Sequence, residues 1–148
     1  MSIVAVIIQA RLNSTRLPNK VLLPVSINSK ITIIEFMINR LRSKLNIPII
    51  VAIPDNTKND KLANFLSLNK IDYYRGSEND VLSRYLVGAQ KHNLSSIIRL
   101  TSDCPLVDPE LINEMLSYFK FLKLDYLGNT TPPNKSTFPD GSDIEIFS

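Results

Sequence analysis

The fold is decided at the N-terminus, by Ile3-Val4-Ala5-Val6-Ile7-Ile8 and the loop that follows it, Gln9-Ala10-Arg11-Leu12-Asn13-Ser14-Thr15-Arg16-Leu17-Pro18-Asn19-Lys20. A continuous β-branched and apolar run, without polar alternation, reads as a strand buried on both faces of a parallel sheet. The loop carries three cations, two hydroxyls and no acid. Arginine forks onto phosphate oxygens, lysine adds a compact charge, and hydroxyls or backbone N–H groups fill the remaining acceptor sites. The loop lacks the glycines and the Gly-Lys-Ser/Thr ending of a P-loop, and it is not a dinucleotide-binding glycine fingerprint. By composition alone it reads equally well as an ordinary solvated loop.

Working outward, Ile33, Ile34, Met37, Ile38, Leu41 and Leu45 recur at helical spacing, with Arg40, Arg42 and Lys44 toward the end and Pro48 closing the helix. Ile49 to Ile53 is a second buried strand, stopped at Pro54-Asp55-Asn56. Asp60 is placed to cap a helix on Leu62, Ala63, Leu66 and Leu68, Ile71 to Tyr74 is a third strand, and a glycine turn follows at Gly76. Val81, Leu82, Tyr85, Leu86 and Ala89 form the next stripe, and Ser96 to Leu100 is a fourth strand. Beyond the turn flanked by Pro105 and Pro109, Leu111, Ile112, Met115, Leu116, Phe119 and Leu122 line another helix. Leu124 to Leu127 reads as a strand, residues 128 to 142 as a surface loop or lid, and Asp143 to Phe147 alternates at period two. Strands alternating with helices predict a three-layer α/β fold with a mostly parallel sheet. Ligands of such sheets sit beyond the carboxyl ends of the strands, which directs attention to residues 9–20, 54–56, 75–84 and 101–109.

With 148 residues, 44% hydrophobic and 21% charged, the chain suits one globular domain spanning 1–148. The net charge of +3 is split unevenly: residues 1–53 hold seven basic residues against Glu35 alone, and the remainder is net −3. Such asymmetry suits a polyanion gripped at one end and a cation at the other. The single Cys104 excludes an intramolecular disulfide framework or multi-cysteine zinc site and fits a reducing cytoplasm, and no apolar run reaches the length of a membrane span. Neither Cys104 nor the lone His92 is given a nucleophilic role. Basic residues on one loop and one helix, without an aromatic stacking platform, argue against nucleic acid as a partner.

The acids are the counterpart of the loop. Asp103 directly follows the fourth strand, where a carboxylate either holds Mg²⁺ in company with phosphate oxygens or caps the turn before Pro105. Asp108, before Pro109, suits a helix cap. Near the end, beyond Asp140, Asp143 and Glu145 are two apart and share one side of a strand, where they face either a cation and sugar hydroxyls or only solvent. Asp80 and Arg84, four apart on a helix, read as a salt bridge worth roughly 0.3–0.5 kcal/mol or as part of a substrate pocket.

Four blocks of the chain, IIQARLNSTRLPNKVLLPV (7–25), YYRGSENDVLSRYLVGAQ (73–90), IIRLTSDCPLVDPELI (97–112) and FPDGSDIEIFS (138–148), resemble in order the sugar-activating cytidylyltransferases. These are the relatives of the CMP-KDO and CMP-sialate synthetases, and the spore-coat polysaccharide biosynthesis protein F type is the nearest in pattern. The resemblance implies a glycosyltransferase-A-like nucleotidyltransferase fold, with this chain matching the N-terminal part of a longer family domain. It implies a Mg²⁺-dependent enzyme that transfers CMP from CTP to an anionic or modified sugar, releasing pyrophosphate, for surface polysaccharide synthesis in the cytoplasm. The alternative it leaves open is a CTP- or nucleotide-sugar-binding module without turnover; a homodimer is also compatible with it, and membrane insertion is not. On that pattern Arg11 and Lys20 hold the triphosphate, with Ser14 and Arg16 beside them, and Asp103 is the principal metal ligand. Ala10, Arg75, Gly76 and Ser77 fall where base and ribose lie. Asp80, Arg84, Asp143 and Glu145 fall on the substrate side, Asp143 also as a second metal ligand.

Overall fold

The structure, a computed structural model, describes residues 3–130, 137–139 and 141–148. Along the chain run β1 (Val4–Gln9), α1 (Ile33–Arg42), β2 (Ile49–Pro54), α2 (Asp60–Leu68), β3 (Tyr73–Gly76), α3 (Val81–Lys91), β4 (Ser96–Thr101), α4 (Pro109–Leu122), β5 (Tyr126–Gly128) and β6 (Glu145–Phe147). The strands make one sheet in the order β3-β2-β1-β4-β6-β5. The first four are mutually parallel, and β6 runs antiparallel between β4 and β5. β1 lies at the centre, as its uninterrupted apolar run requires. Val4, Val6 and Ile8 enter the core shared with α1, α2 and α4, whereas Ala5 and Ile7 enter the core under α3. Full burial of each Ile or Val stabilises the fold by roughly 1.5–3 kcal/mol.

The strand order reverses between β1 and β4, whose carboxyl ends therefore flank an open crevice. Their register pairs Gln9 with Thr101, and the Ser102 N–H continues the ladder to the Gln9 carbonyl at 2.9 Å. The basic loop and Asp103 thus emerge side by side from neighbouring strands, although Lys20 and Asp103 lie 83 positions apart in the chain.

Several boundaries differ from expectation for identifiable reasons. α1 starts at a capping box, in which Thr32 Oγ1 accepts the Glu35 N–H and the Glu35 carboxylate accepts the Thr32 N–H, but it ends at Arg42, well before Pro48. Asp60 does not cap α2; it is the helix's first residue, and its carboxylate takes Arg75 Nη2 at 2.6 Å. β3 begins at Tyr73 because Ile71 is spent closing α2. The Lys70 N–H donates to the Ser67 carbonyl and the Ile71 N–H to the Leu66 carbonyl, with Lys70 at φ 52°. The same exit recurs after α3 at Asn93 and after α4 at Lys123, so three helices end in left-handed residues that are not glycine. Gly76 is the last residue of β3 rather than a turn residue.

α3 is the element covering its face of the sheet among the described residues, and it is rotated relative to the expected stripe. Arg84, Tyr85 and Gly88 turn inward, and Leu82 stands 74% exposed. The cause is Gly88: a Cβ there would lie 2.2 Å from Tyr74 Oη, so this is where the helix rests on the sheet. Leu82 and Leu86 instead line an open groove of about 770 Å³ with Ile97 and Phe147. Asp108 caps α4 as expected, accepting the Glu110 N–H at 2.9 Å. Gly128, expected to open a loop, instead ends β5, and the buried Asn129 after it donates to the Ser142 carbonyl and accepts the Ile144 N–H. Residues 131–136 and Asp140 lie outside the described residues. No helix among the described residues is long and apolar enough to cross a membrane.

Candidate active site

The basic loop is held at two buried points, Leu12 and Val21. The Leu12 N–H donates to Asn59 Oδ1 at 2.9 Å, and the Leu12 carbonyl accepts the N–H groups of Ser14 and Asn19. Asn19, at φ 59°, turns the chain into a short 3₁₀ turn, Lys20–Leu22, which drops Val21 into the core and leaves Lys20 at the rim. Anchoring both limbs of the loop bends the cations between them toward one place. Arg11, Ser14, Thr15, Arg16 and Lys20 line a polar pocket of about 160 Å³ together with Gln9, Thr101, Ser102 and Asp103.

Asp103 is the first side chain beyond β4 to leave the sheet, Ser102 being buried. Its carboxylate faces Lys20 Nζ at 2.7 Å instead of capping the turn, which is closed by the Cys104 N–H on the Thr101 carbonyl. Lys20 and Asp103 are 29% and 61% exposed at their side chains, so both stay within reach of a ligand. Three cations around one carboxylate leave the pocket net positive, as a phosphate site requires. Among the described residues no three His, Cys, Asp or Glu side chains are grouped to hold a metal. A Mg²⁺ ion here would find one protein carboxylate, Asp103, and would need water or phosphate oxygens for its other positions.

The structure thus brings together Arg11, Ser14, Arg16, Lys20 and Asp103. Ala10 is adjacent and buried, with its N–H committed to the Ala52 carbonyl. The remaining candidates have other occupations. Arg75 spans the β2–α2 connection, bonded to the Asn56 carbonyl at 3.2 Å and to Asp60. Ser77 Oγ accepts the Asp80 N–H, and Asp80 caps α3 by accepting the Ser83 N–H at 2.9 Å. Asp80 and Arg84 are consequently not the expected salt bridge. Arg84 is 2% exposed, pressed against Gly76, where a Cβ would lie 2.8 Å from Arg84 Cγ. Its Nε and Nη1 have no hydrogen-bond partner among the described residues, and burial lowers its pKa, with the Arg11 charge contributing in the same direction. Glu78 in the same connection accepts from Asn13 Nδ2 at 3.2 Å, so the β3–α3 turn forms a second wall beside the loop.

At the far end Glu145 is half-buried and engaged. It pairs with Arg99 and accepts the Tyr126 hydroxyl at 2.8 Å, while Arg99 lies over the Tyr85 ring. Asp143 is exposed just before β6, two residues past Gly141, where a Cβ would lie 3.8 Å from Cys104 Sγ. Gln9, Thr15, Thr101 and Ser102 line the pocket without having been singled out, although they fall in the segments at the strand ends. Asn59 carries no signal in the sequence, where Asp60 takes the cap reading, because its partner Leu12 is 47 positions away.

A sequence model of the cytidylyltransferase family matches residues 5–136. The spore coat polysaccharide biosynthesis protein SpsF of Bacillus subtilis (strain 168) is 36% identical over 121 residues, covering 78% of this chain and 49% of that protein. An uncharacterized protein, MJ1063, of Methanocaldococcus jannaschii is 35% identical over 122 residues, again covering 49% of its length. The chain therefore spans about half the length of these curated relatives. A cytidylyltransferase structure from Leptospira borgpetersenii superposes over all of this chain and 61% of its own, with a TM-score of 0.88 at 36% identity. CMP-2-keto-3-deoxy-manno-octonic acid synthetase, solved with CTP, shares the fold at a TM-score of 0.74 and 16% identity, covering 99% of this chain and 74% of its own.

Proposed function

The chain belongs to the cytidylyltransferase family, and on that premise we propose that its pocket takes the triphosphate of CTP for transfer of CMP to an anionic or modified sugar, with release of pyrophosphate. The observation that carries this reading is the convergence of Arg11, Arg16 and Lys20 on one side and Asp103 on the other, in a single polar pocket at the β1–β4 switch point. In the proposed reaction a sugar hydroxyl attacks the α-phosphorus, the bond to the β-phosphate oxygen breaks, and the hydroxyl proton leaves to solvent. Arg11 and Lys20 hold the β- and γ-oxygens and stabilise the leaving pyrophosphate, while Ser14 and Arg16 fix its orientation. Asp103 would hold Mg²⁺, which when bound would supply further neutralisation of phosphate charge. Because little covalent chemistry falls to the protein, positioning and electrostatics suffice. The similarity to SpsF supports a role in surface polysaccharide synthesis.

A second reading, CTP binding without turnover, is favoured by the sugar side of the site. Glu145, expected there, is engaged with Arg99 and Tyr126. The test is CTP-dependent pyrophosphate release across a panel of anionic sugars, with Asp103→Ala and Lys20→Ala as controls. Release lost in both variants supports transfer, and CTP binding without release supports the second reading. A wild-type chain that neither binds CTP nor is stabilised by it with Mg²⁺ present overturns both.

A further inference from the structure

Asn59 occupies the N-cap position of α2, yet its side chain makes no bond to that helix. It is 0% exposed. Its Oδ1 accepts the Leu12 N–H at 2.9 Å, across 47 residues of sequence, and its Nδ2 donates to Asn56 Oδ1 at 2.7 Å. The amide oxygen thus serves the basic loop, and the amide nitrogen holds the oxygen in that orientation. An Asn at this position would ordinarily take a first-turn N–H of its own helix. Here that bond is forgone for one to a distant loop.

What hangs from Leu12 makes the bond matter. The Leu12 carbonyl accepts the N–H groups of both Ser14 and Asn19, so a single peptide fixes both limbs of the loop. Arg11 immediately precedes this fixed point, and Lys20 immediately follows Asn19. The separation of the two cations is therefore set through Leu12, and Leu12 is set from outside the loop by Asn59. A polyphosphate bound by two cations is sensitive to that separation, whereas a monophosphate touching one of them is not.

We propose that Asn59 is a positioning residue for polyphosphate: by pinning the Leu12 N–H it holds Arg11 and Lys20 at the spacing that selects a nucleoside triphosphate over a monophosphate. The proposal rests on the triphosphate reading above for its functional consequence, but not for the pin itself. Two readouts separate them. Amide hydrogen exchange reports the pin without any ligand: Asn59→Ala should lose protection at Leu12 and Asn19 while α4 stays protected. Titration with CTP, CMP and inorganic tripolyphosphate reports the consequence. In Asn59→Ala the affinity for CTP and tripolyphosphate should fall roughly tenfold with that for CMP nearly unchanged. Ile112→Val, a destabilising change in the core beneath α4, should leave that ratio untouched. Should Asn59→Ala fail to fold, Asn56→Ala removes the partner that orients the amide and should shift both readouts in the same direction, by less. Unchanged exchange at Leu12 overturns the pin. Lost protection with an unchanged CTP-to-CMP ratio overturns the positioning role. A wild-type chain with protected Leu12 that binds neither CTP nor tripolyphosphate overturns the triphosphate reading and the selectivity with it, and leaves the pin established.

Discussion

Replacing Lys20 by Met should affect stability, nucleotide binding and metal binding in three different ways. Lys20 Nζ lies 2.7 Å from Asp103 Oδ1, with the two side chains 29% and 61% exposed. A pair so exposed is worth about 0.2–1 kcal/mol after solvent screening, so Lys20→Met should lower the melting temperature by no more than about 4 °C. Toward the proposed phosphate the same ammonium would make charge-assisted hydrogen bonds worth about 1.5–3 kcal/mol. CTP affinity should therefore fall roughly 10- to 100-fold, with CMP affected much less. The metal moves the other way. Lys20 occupies an oxygen of Asp103, and a divalent ion arriving without nucleotide must displace it. Removing Lys20 should raise the affinity for free Mn²⁺ by up to about fivefold, the equivalent of the lost pair. Calorimetric titration with CTP and CMP, Mn²⁺ titration by electron paramagnetic resonance and a melting curve measure all three. Unchanged CTP affinity, or weaker Mn²⁺ binding in the variant, would refute the assignment of Lys20 and Asp103 as opposed halves of one site.

The remaining predictions concern the frame that holds the site. Gly88→Ala, ordinarily favourable within a helix, should destabilise the protein by about 1–3 kcal/mol in chemical denaturation, because its Cβ would meet Tyr74 Oη at 2.2 Å; a gain in stability would show that α3 does not rest there. Lys123→Gly should stabilise by roughly 0.5–1 kcal/mol, since residue 123 sits at φ 52°; no gain would mean the left-handed exit carries little strain. Burial raises the pKa of both Tyr74 and Tyr85 above their ordinary 10.0. The unfolded chain thus releases these protons first, so stability is full below pH 10 and declines as pH rises above it. The slope approaches about 1.4 kcal/mol per pH unit for each tyrosine. Urea midpoints between pH 8 and 11.5 should show the decline, shallower in Tyr74→Phe; a flat profile would contradict the burial of these hydroxyls.

The central strand and the neighbourhood of the site were legible because they depend on local signals. The run Ile3 to Ile8 could be read as doubly buried from its lack of alternation, which holds from Val4 onward while Ile3 is 44% exposed ahead of the strand, and a basic loop and an acid after two parallel strands implied a shared crevice. The features that were not legible depend on tertiary contacts. The inward face of α3 is chosen by the contact between Gly88 and Tyr74, which no helical periodicity contains. Helix exits at Lys70, Asn93 and Lys123 carry no glycine, so the usual punctuation is missing. Arg75 and Glu145 carry site-like charges that the fold spends on Asp60 and on Arg99 with Tyr126. Asn59 is the reverse case, a residue passed over in favour of Asp60 as the cap, which the fold turns toward the basic loop.

The most direct test of the central claim is calorimetric titration of the 148-residue chain with CTP in the presence of Mg²⁺, repeated with Arg11→Ala and Asp103→Ala. We expect saturable binding to the wild type that is at least about tenfold tighter than for CMP, as additional charge-assisted contacts to the β- and γ-phosphates require, and that is weakened in both variants. Equal affinity for CTP and CMP, or CTP binding that survives both substitutions, would contradict a triphosphate site between the basic loop and Asp103.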